Sequence, residues 1–148
     1  MADFVKTNEV LSPRRGTETV LLAEDDTDIR ELIKAVLENN GYTVIEAIDG
    51  TDAIEKFSEN KDNIEVAIVD LVMPKRTGFE VFDEIKKICP VVKIIFMSGY
   101  TVDFFETYGY RIEDLNLIFK PVSSIELLHK IREVLNKAEN KGDKEIDN

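Results

Sequence analysis
Six side chains concentrate the chemistry of this sequence. Three carboxylates stand in a row at Glu24-Asp25-Asp26, a fourth stands at Asp70, a hydroxyl at Ser98 and an ammonium at Lys120. Carboxylates gathered in one partly desolvated place repel one another, and a cation is needed to relieve them. A set of hard oxygen ligands with room for water suits Mg2+, which takes one or two carboxylates and fills its octahedron with water and phosphate oxygens. Mn2+ is accepted on the same grounds. A carboxylate beside Mg2+ and a lysine points to phosphoryl transfer, in which the protein positions the group and neutralises charge on its equatorial oxygens. In that chemistry Mg2+ takes one phosphoryl oxygen, Lys120 a second and the Ser98 hydroxyl a third. Asp70 is then the nucleophile, forming an aspartyl phosphate.

These residues are far apart in the chain, so a fold must gather them. Each follows a short apolar run. Thr19 to Ala23 ends at Glu24-Asp25-Asp26, Ile64 to Val69 at Asp70, Val91 to Met97 at Ser98-Gly99, and Leu115 to Phe119 at Lys120-Pro121; Tyr42 to Ala47 is a fifth run. Short runs of this kind between turn signals read as strands buried on both faces, as in a parallel sheet.

Helical spacing follows every strand. Ile29, Leu32, Ile33, Val36 and Leu37 lie on one face after a cap at Asp26 or Thr27, and Asn39-Asn40-Gly41 stops that helix. Asp49-Gly50 opens a second helix with Ala53, Ile54 and Phe57 inward. Thr77 with Glu80 is a capping box for a third, about Gly78 to Ile88, with Val81, Phe82, Ile85 and Ile88 inward and Cys89-Pro90 at its end. Thr101 caps a fourth, around Val102 to Tyr108, whose aromatic and β-branched residues and nearby Gly109 make the weakest helical pattern. Ser123 with Glu126 is a second capping box, opening a last helix with Ile125, Leu128, Ile131, Val134 and Leu135 inward. His129 falls among its polar positions and reads as a solvated helical residue. Five alternations of strand and helix predict a three-layer α/β sandwich, with the strand ends, and hence the reactive residues, on one edge. Asp70 alone would also suit a turn; the convergence of the other strand ends favours chemistry.

The bulk properties fit. The chain has 148 residues, 43% hydrophobic and 33% charged, enough for one domain with a core. Its formal net charge of −11 argues against nucleic-acid binding, which wants a basic face. Cys89 is the single cysteine, which excludes an internal disulfide, suits a reducing compartment and reads as a small packed residue. No apolar run is long enough for a membrane span and no signal-peptide core stands at the start, so a cytoplasmic location without membrane contact is expected. Residues 1–18 read as an N-terminal arm or linker, 19–136 as the domain and 137–148 as a charged, frayed tail.

The motifs resemble those of the receiver domain of bacterial two-component response regulators. Val20-Leu21-Leu22-Ala23-Glu24-Asp25-Asp26, Asp70-Leu71-Val72-Met73-Pro74 with Gly78, Met97-Ser98-Gly99 and Lys120-Pro121 follow in the family's order and spacing. The resemblance covers Thr19 to about Asn136. It implies the doubly wound (βα)5, flavodoxin-like fold with strand order 2-1-3-4-5. It also implies phosphorylation of Asp70 by a histidine kinase or histidine phosphotransfer protein, switching a surface that a downstream protein reads. Asp25 matches the direct metal carboxylate, Glu24 the acid that acts through metal-bound water, and the backbone carbonyl of Val72 the third protein ligand. The Lys120-Pro121 bond matches one that is usually cis. Val72 and Tyr100 match the positions flanking the path of the hydrolytic water, and neither is a carboxylate or amide, which implies slow self-dephosphorylation. One departure stands out: Leu117 occupies the place, three before the lysine, where the family usually carries an aromatic switch residue.

Two arrangements fit the resemblance: a stand-alone, phosphorylation-gated module, and a receiver segment of a hybrid sensor histidine kinase, whose C-terminal receivers have lead-ins like Arg15-Gly16-Thr17-Glu18-Thr19 and segments like Met97-Ser98-Gly99-Tyr100-Thr101. A haloacid-dehalogenase-type phosphatase also uses an aspartate nucleophile but needs a second aspartate two residues on, where Val72 stands. A flavodoxin-like FMN protein needs hydroxyls and glycines in the first strand-to-helix loop, where three acids stand.

Overall fold
Alternating strands and helices give this chain one central sheet covered on both sides. The computed structural model describes residues 16–147, with side chains described as far as Lys137. Most of the expected N-terminal arm, 1–15, lies outside the described residues. The elements are β1 (Thr19–Ala23), α1 (Thr27–Asn39), β2 (Thr43–Ala47), α2 (Gly50–Glu59), β3 (Ile64–Asp70), α3 (Gly78–Ile88), β4 (Lys93–Ser98), α4 (Val102–Thr107), a 3-10 turn (Ile112–Asp114), β5 (Leu117–Phe119) and α5 (Ser124–Asp147). All pairings are parallel and the order is β2-β1-β3-β4-β5, as the resemblance implied.

Side-chain alternation along the strands divides the interior into two cores. Leu21, Ala67, Val69, Ile94, Phe96 and Leu117 point to one side, where Ala53 and Phe57 of α2, Val81 and Ile85 of α3 and Phe105 of α4 meet them. Val20, Leu22, Val66, Ile68, Ile95, Met97 and Ile118 point to the other, against Ile33 and Leu37 of α1 and Leu127, Leu128, Ile131 and Val134 of α5. A sheet covered on both faces needs apolar residues in both phases, hence the near-continuous hydrophobic strands.

The helix starts are capped by side chains that accept otherwise unpaired amides. Asp26 accepts from Ile29, Asp49 from Asp52, Thr101 from Phe104 and Ser123 from Glu126. Both halves of the Thr77–Glu80 box are formed, at 3.2 and 2.9 Å. Gly41, at φ 98°, closes α1, and a β-carbon there would collide with the Gly16 carbonyl.

Several expected details are corrected. Leu32 and Ile125 are exposed rather than inward. Each lies at the margin of its helix's apolar stripe, and for α5 the inward role falls to Leu127, 1% exposed. Strand β4 starts at Lys93, not Val91, because Val91 belongs to the turn in which the Val92 amide donates to the Cys89 carbonyl. Strand β5 starts at Leu117, not Leu115, because the Leu115 amide is used by the 3-10 turn, donating to Ile112. The charged segment expected to be a frayed tail continues α5 to Asp147. Among the described residues no helix is long and apolar enough to cross a membrane.

Candidate functional site
Parallel register brings the reactive residues together. Ala23 pairs with Val69, so Glu24 and Asp70, one residue further on, leave the sheet side by side. Asp70 pairs with Met97 and Ser98 with Phe119, which sets Ser98 and then Lys120 on a diagonal across the same carboxyl edge. Glu24, Asp70 and Lys120 share the strand phase that faces α1 and α5, whereas Ser98 carries the opposite phase. The loop after β3 is drawn tight by Gly78, whose amide donates to the Leu71 carbonyl. A β-carbon on Gly78 would lie 2.7 Å from the Asp70 carbonyl oxygen and 2.8 Å from the Leu71 Cα, so only glycine lets α3 begin so close to the strand end.

The result is a charged cluster at the rim of the core. One carboxylate oxygen from each of Glu24, Asp25 and Asp70 lies within 4.8 Å of the others. Glu24 is 1% exposed and Asp70 4%, whereas Asp25 is open to solvent. Lys120 Nζ donates to both buried acids, at 2.8 Å to Glu24 Oε1 and 2.8 Å to Asp70 Oδ2. The remaining oxygens take backbone amides: Asp26 N–H to Glu24 Oε2 at 3.1 Å and Val72 N–H to Asp70 Oδ1 at 3.2 Å. Burial, helped by the Asp70 charge, pushes the Glu24 carboxyl above its ordinary value in spite of Lys120 and the Asp26 amide. Burial works to lower Lys120, but the two carboxylates outweigh it and hold the ammonium above its ordinary value. Three carboxylates thus face one ammonium, a donor set of hard oxygens that fits a divalent cation such as Mg2+.

The Ser98 hydroxyl accepts the Tyr100 amide at 2.8 Å, and Ser98 is buried, next to Gly99, which lines the cleft. Val72 and Tyr100, 56% and 41% exposed, line the cleft, and the Tyr100 ring stacks on Phe104 at 4.0 Å between centroids. Asp26 caps α1. The Lys120-Pro121 bond is cis. Leu117 is buried in the core beneath α4, and the rings near it, Phe105 and Phe119, meet edge to face at 6.2 Å. His129 lies exposed on α5, away from the cluster, and Cys89 caps the end of α3. The sequence placed Lys120 at a phosphoryl oxygen but did not reveal that it spans both buried acids. That bridge depends on β5 lying three strands from β1 and two from β3, which spacing alone does not encode.

Comparison with known proteins points the same way. Residues 20–132 match the model of the response regulator receiver domain. The chain is 34% identical over 122 residues to the sensor kinase CckA of Brucella abortus (strain 2308), covering 82% of this chain and 13% of that protein. It is 30% identical over 116 residues to the response regulator receiver protein CpdR of the same organism, covering 78% of this chain and 95% of that one. The chain spans about half the length of the transcriptional regulators that it also matches. A solved response regulator receiver domain protein from Clostridium thermocellum superposes with a TM-score of 0.72 at 30% identity, over 82% of this chain and 97% of that one.

Proposed function
The chain belongs to the response regulator receiver family of two-component systems, and from that premise we propose that Asp70 is its phosphoacceptor. The observation that carries this assignment is the meeting of Glu24, Asp25 and Asp70 within 4.8 Å at the carboxyl edge, with Lys120 bound to two of them. Asp70 ends the central strand, and one of its oxygens is tied to the Val72 amide while the other faces Lys120. An oxygen of Asp70 attacks phosphorus as the bond from phosphorus to the donor nitrogen breaks, and the electron pair leaves with the imidazole of a partner histidine kinase or phosphotransfer protein. Lys120, held next to Asp70, donates to a phosphoryl oxygen, and the Ser98 hydroxyl serves a second. Glu24, Asp25, Asp70 and the Val72 carbonyl would hold Mg2+, with Mn2+ a substitute; the ion supplies neutralisation of phosphoryl charge. The chain would act as a cytoplasmic, phosphorylation-gated module, limited to its own phosphorylation and dephosphorylation, that presents a switched surface to a downstream protein. The domain itself is assigned to residues 19–136.

Incubation with Mg2+ and acetyl phosphate should add one labile phosphoryl group to the wild type and none to Asp70→Asn. Labelling that persists undiminished in Asp70→Asn would place the nucleophile elsewhere. Similarity to both a free-standing receiver protein and the receiver of a hybrid kinase leaves two settings for this module. The reading frame upstream of Met1 in the genome separates them.

A further inference from the structure
We infer that Arg30 is a positioning residue for the cation-binding loop and acts through the backbone of Glu24. The inference rests on the assignment of Glu24, Asp25 and Asp70 as the Mg2+ site. Glu24 lies one residue past the end of β1. Its amide still bonds to the Ala47 carbonyl of β2, at 3.2 Å. Its carbonyl accepts Arg30 Nη1 at 2.8 Å. The same guanidinium donates through Nε to Glu46 Oε1 at 3.2 Å, and the other Glu46 oxygen takes Lys34 Nζ at 2.9 Å. Glu46 is fixed by the sheet, since β2 pairs with β1 without a break from Thr43 to Ala47 and sets Glu46 against Leu22. A strand carboxylate therefore aims the guanidinium, and the guanidinium holds the peptide that carries the first acid of the loop. The Arg30 side chain is only 12% exposed, so its rigid fork is confined to this geometry. Three successive acids would otherwise repel and spread the loop, and this tether keeps the Glu24 and Asp25 carboxylates turned toward Asp70.

The sign of one measurement separates positioning from charge. As a bare cation near the site, Arg30 would oppose Mg2+, and its removal would tighten binding. As a positioning group, its removal loosens binding, and outer-shell partners of metal sites typically contribute about 10–100-fold in affinity. Isothermal titration of Mg2+ into the metal-free full chain should therefore find Arg30→Ala weaker than wild type by about tenfold, the low end of that range. Lys34→Ala removes the same charge from the same Glu46 without touching the Glu24 carbonyl, and its affinity should be unchanged or tighter. Thermal melts run in parallel identify simple destabilisation, which would lower both variants' melting temperatures without separating their affinities. Wild type that binds no Mg2+ overturns the metal assignment and this inference with it. Wild type that binds, beside Arg30→Ala that binds as tightly or more tightly, overturns the role of Arg30 alone. Where Arg30→Ala melts below the assay temperature, Arg30→Lys is measured instead, since one ammonium cannot replace the two-ended fork; binding weaker than wild type supports the role and unchanged binding overturns it.

Discussion
At each end of the sheet a glutamate faces a basic side chain, Glu24 buried and Glu18 half-buried, yet the two ends are built to opposite purposes. At the carboxyl end Glu24 shares Lys120 with Asp70, and Asp25 stands beside them. At the amino end Glu18 meets Arg132 at 2.8 Å, the same guanidinium reaches the Tyr42 hydroxyl at 3.3 Å, and the Glu18 carbonyl takes the Thr43 amide at 3.1 Å. One acid faces one base there, and the cluster ties the lead-in to β1, the start of β2 and the middle of α5. The two glutamates shift in opposite directions. Burial drives Glu24 up. Burial works the same way on Glu18, but Arg132 and the Thr17 amide outweigh it and hold that acid below its ordinary value. A balanced pair fastens the fold; an unbalanced cluster keeps an unmet demand for positive charge, which a cation can answer.

The largest test of this contrast removes the base at each end. Lys120→Met should destabilise the metal-free protein by about 3 kcal/mol, because it leaves buried acids without their ammonium. Saturating Mg2+ should restore part of that loss. Arg132→Met should cost about 1 kcal/mol or less, as partly exposed pairs do, and should be indifferent to Mg2+. Urea unfolding with and without Mg2+ decides it, and equal losses with equal responses to the ion would erase the distinction between the two ends.

Next in size is the ion's own contribution. A ligand at a 100-fold excess over its Kd stabilises the native state by about 2.7 kcal/mol. Wild type should rise in melting temperature accordingly. Asp25→Asn should lose most of that rise while keeping its metal-free stability, because Asp25 is the solvent-exposed member of the three. Equal Mg2+ shifts in both proteins would remove Asp25 from the ligand set.

Much of the carboxyl end was legible because a parallel sheet converts sequence into geometry. Each strand is a short apolar run, each run stops at a reactive residue, and parallel pairing must bring those stops to one edge. The helices were less legible at their margins. Leu32 and Ile125 are apolar and suitably spaced, but each lies at the margin of its helix's apolar stripe and is left exposed. The amino end was invisible. Glu18 and Arg132 are 114 positions apart, and neither belongs to a spacing pattern that distinguishes it from an ordinary surface charge. The double reach of Lys120 and the tether of Arg30 are equally tertiary, since both depend on which strands are neighbours.

A third test stays at the carboxyl end and asks what its rim does. Val72 and Tyr100 offer no base to orient a water, and the Tyr100 ring is braced on Phe104 and half open to the cleft. Loss of the aspartyl phosphate should therefore be slow in the wild type. Tyr100→Ala should quicken it by about tenfold, equivalent to about 1.4 kcal/mol of barrier. Decay followed after removal of the phosphodonor measures this, and a fast wild-type rate left unchanged by Tyr100→Ala would show that the ring does not obstruct water.

The smallest effect belongs to the amino end and is read by pH. Glu18 has a folded value below its ordinary 4.5, so through that window the unfolded chain binds more protons than the native one and stability rises with pH. Its contribution is complete above the unfolded value and disappears as pH falls through the folded one. The pair is partly open to solvent, with side chains 20% and 24% exposed, which places the contribution at about 0.5–1 kcal/mol. Urea unfolding of wild type and Glu18→Gln should differ by that amount near pH 7 and converge as pH falls through the folded value of Glu18, below which both carry a neutral side chain. A gap that persists undiminished in acid would mean that packing, not charge, makes this end hold. Convergence would identify Glu18 with Arg132 as an ionic fastening, in contrast to the carboxyl end, where Lys120 alone does not match the acids gathered around it.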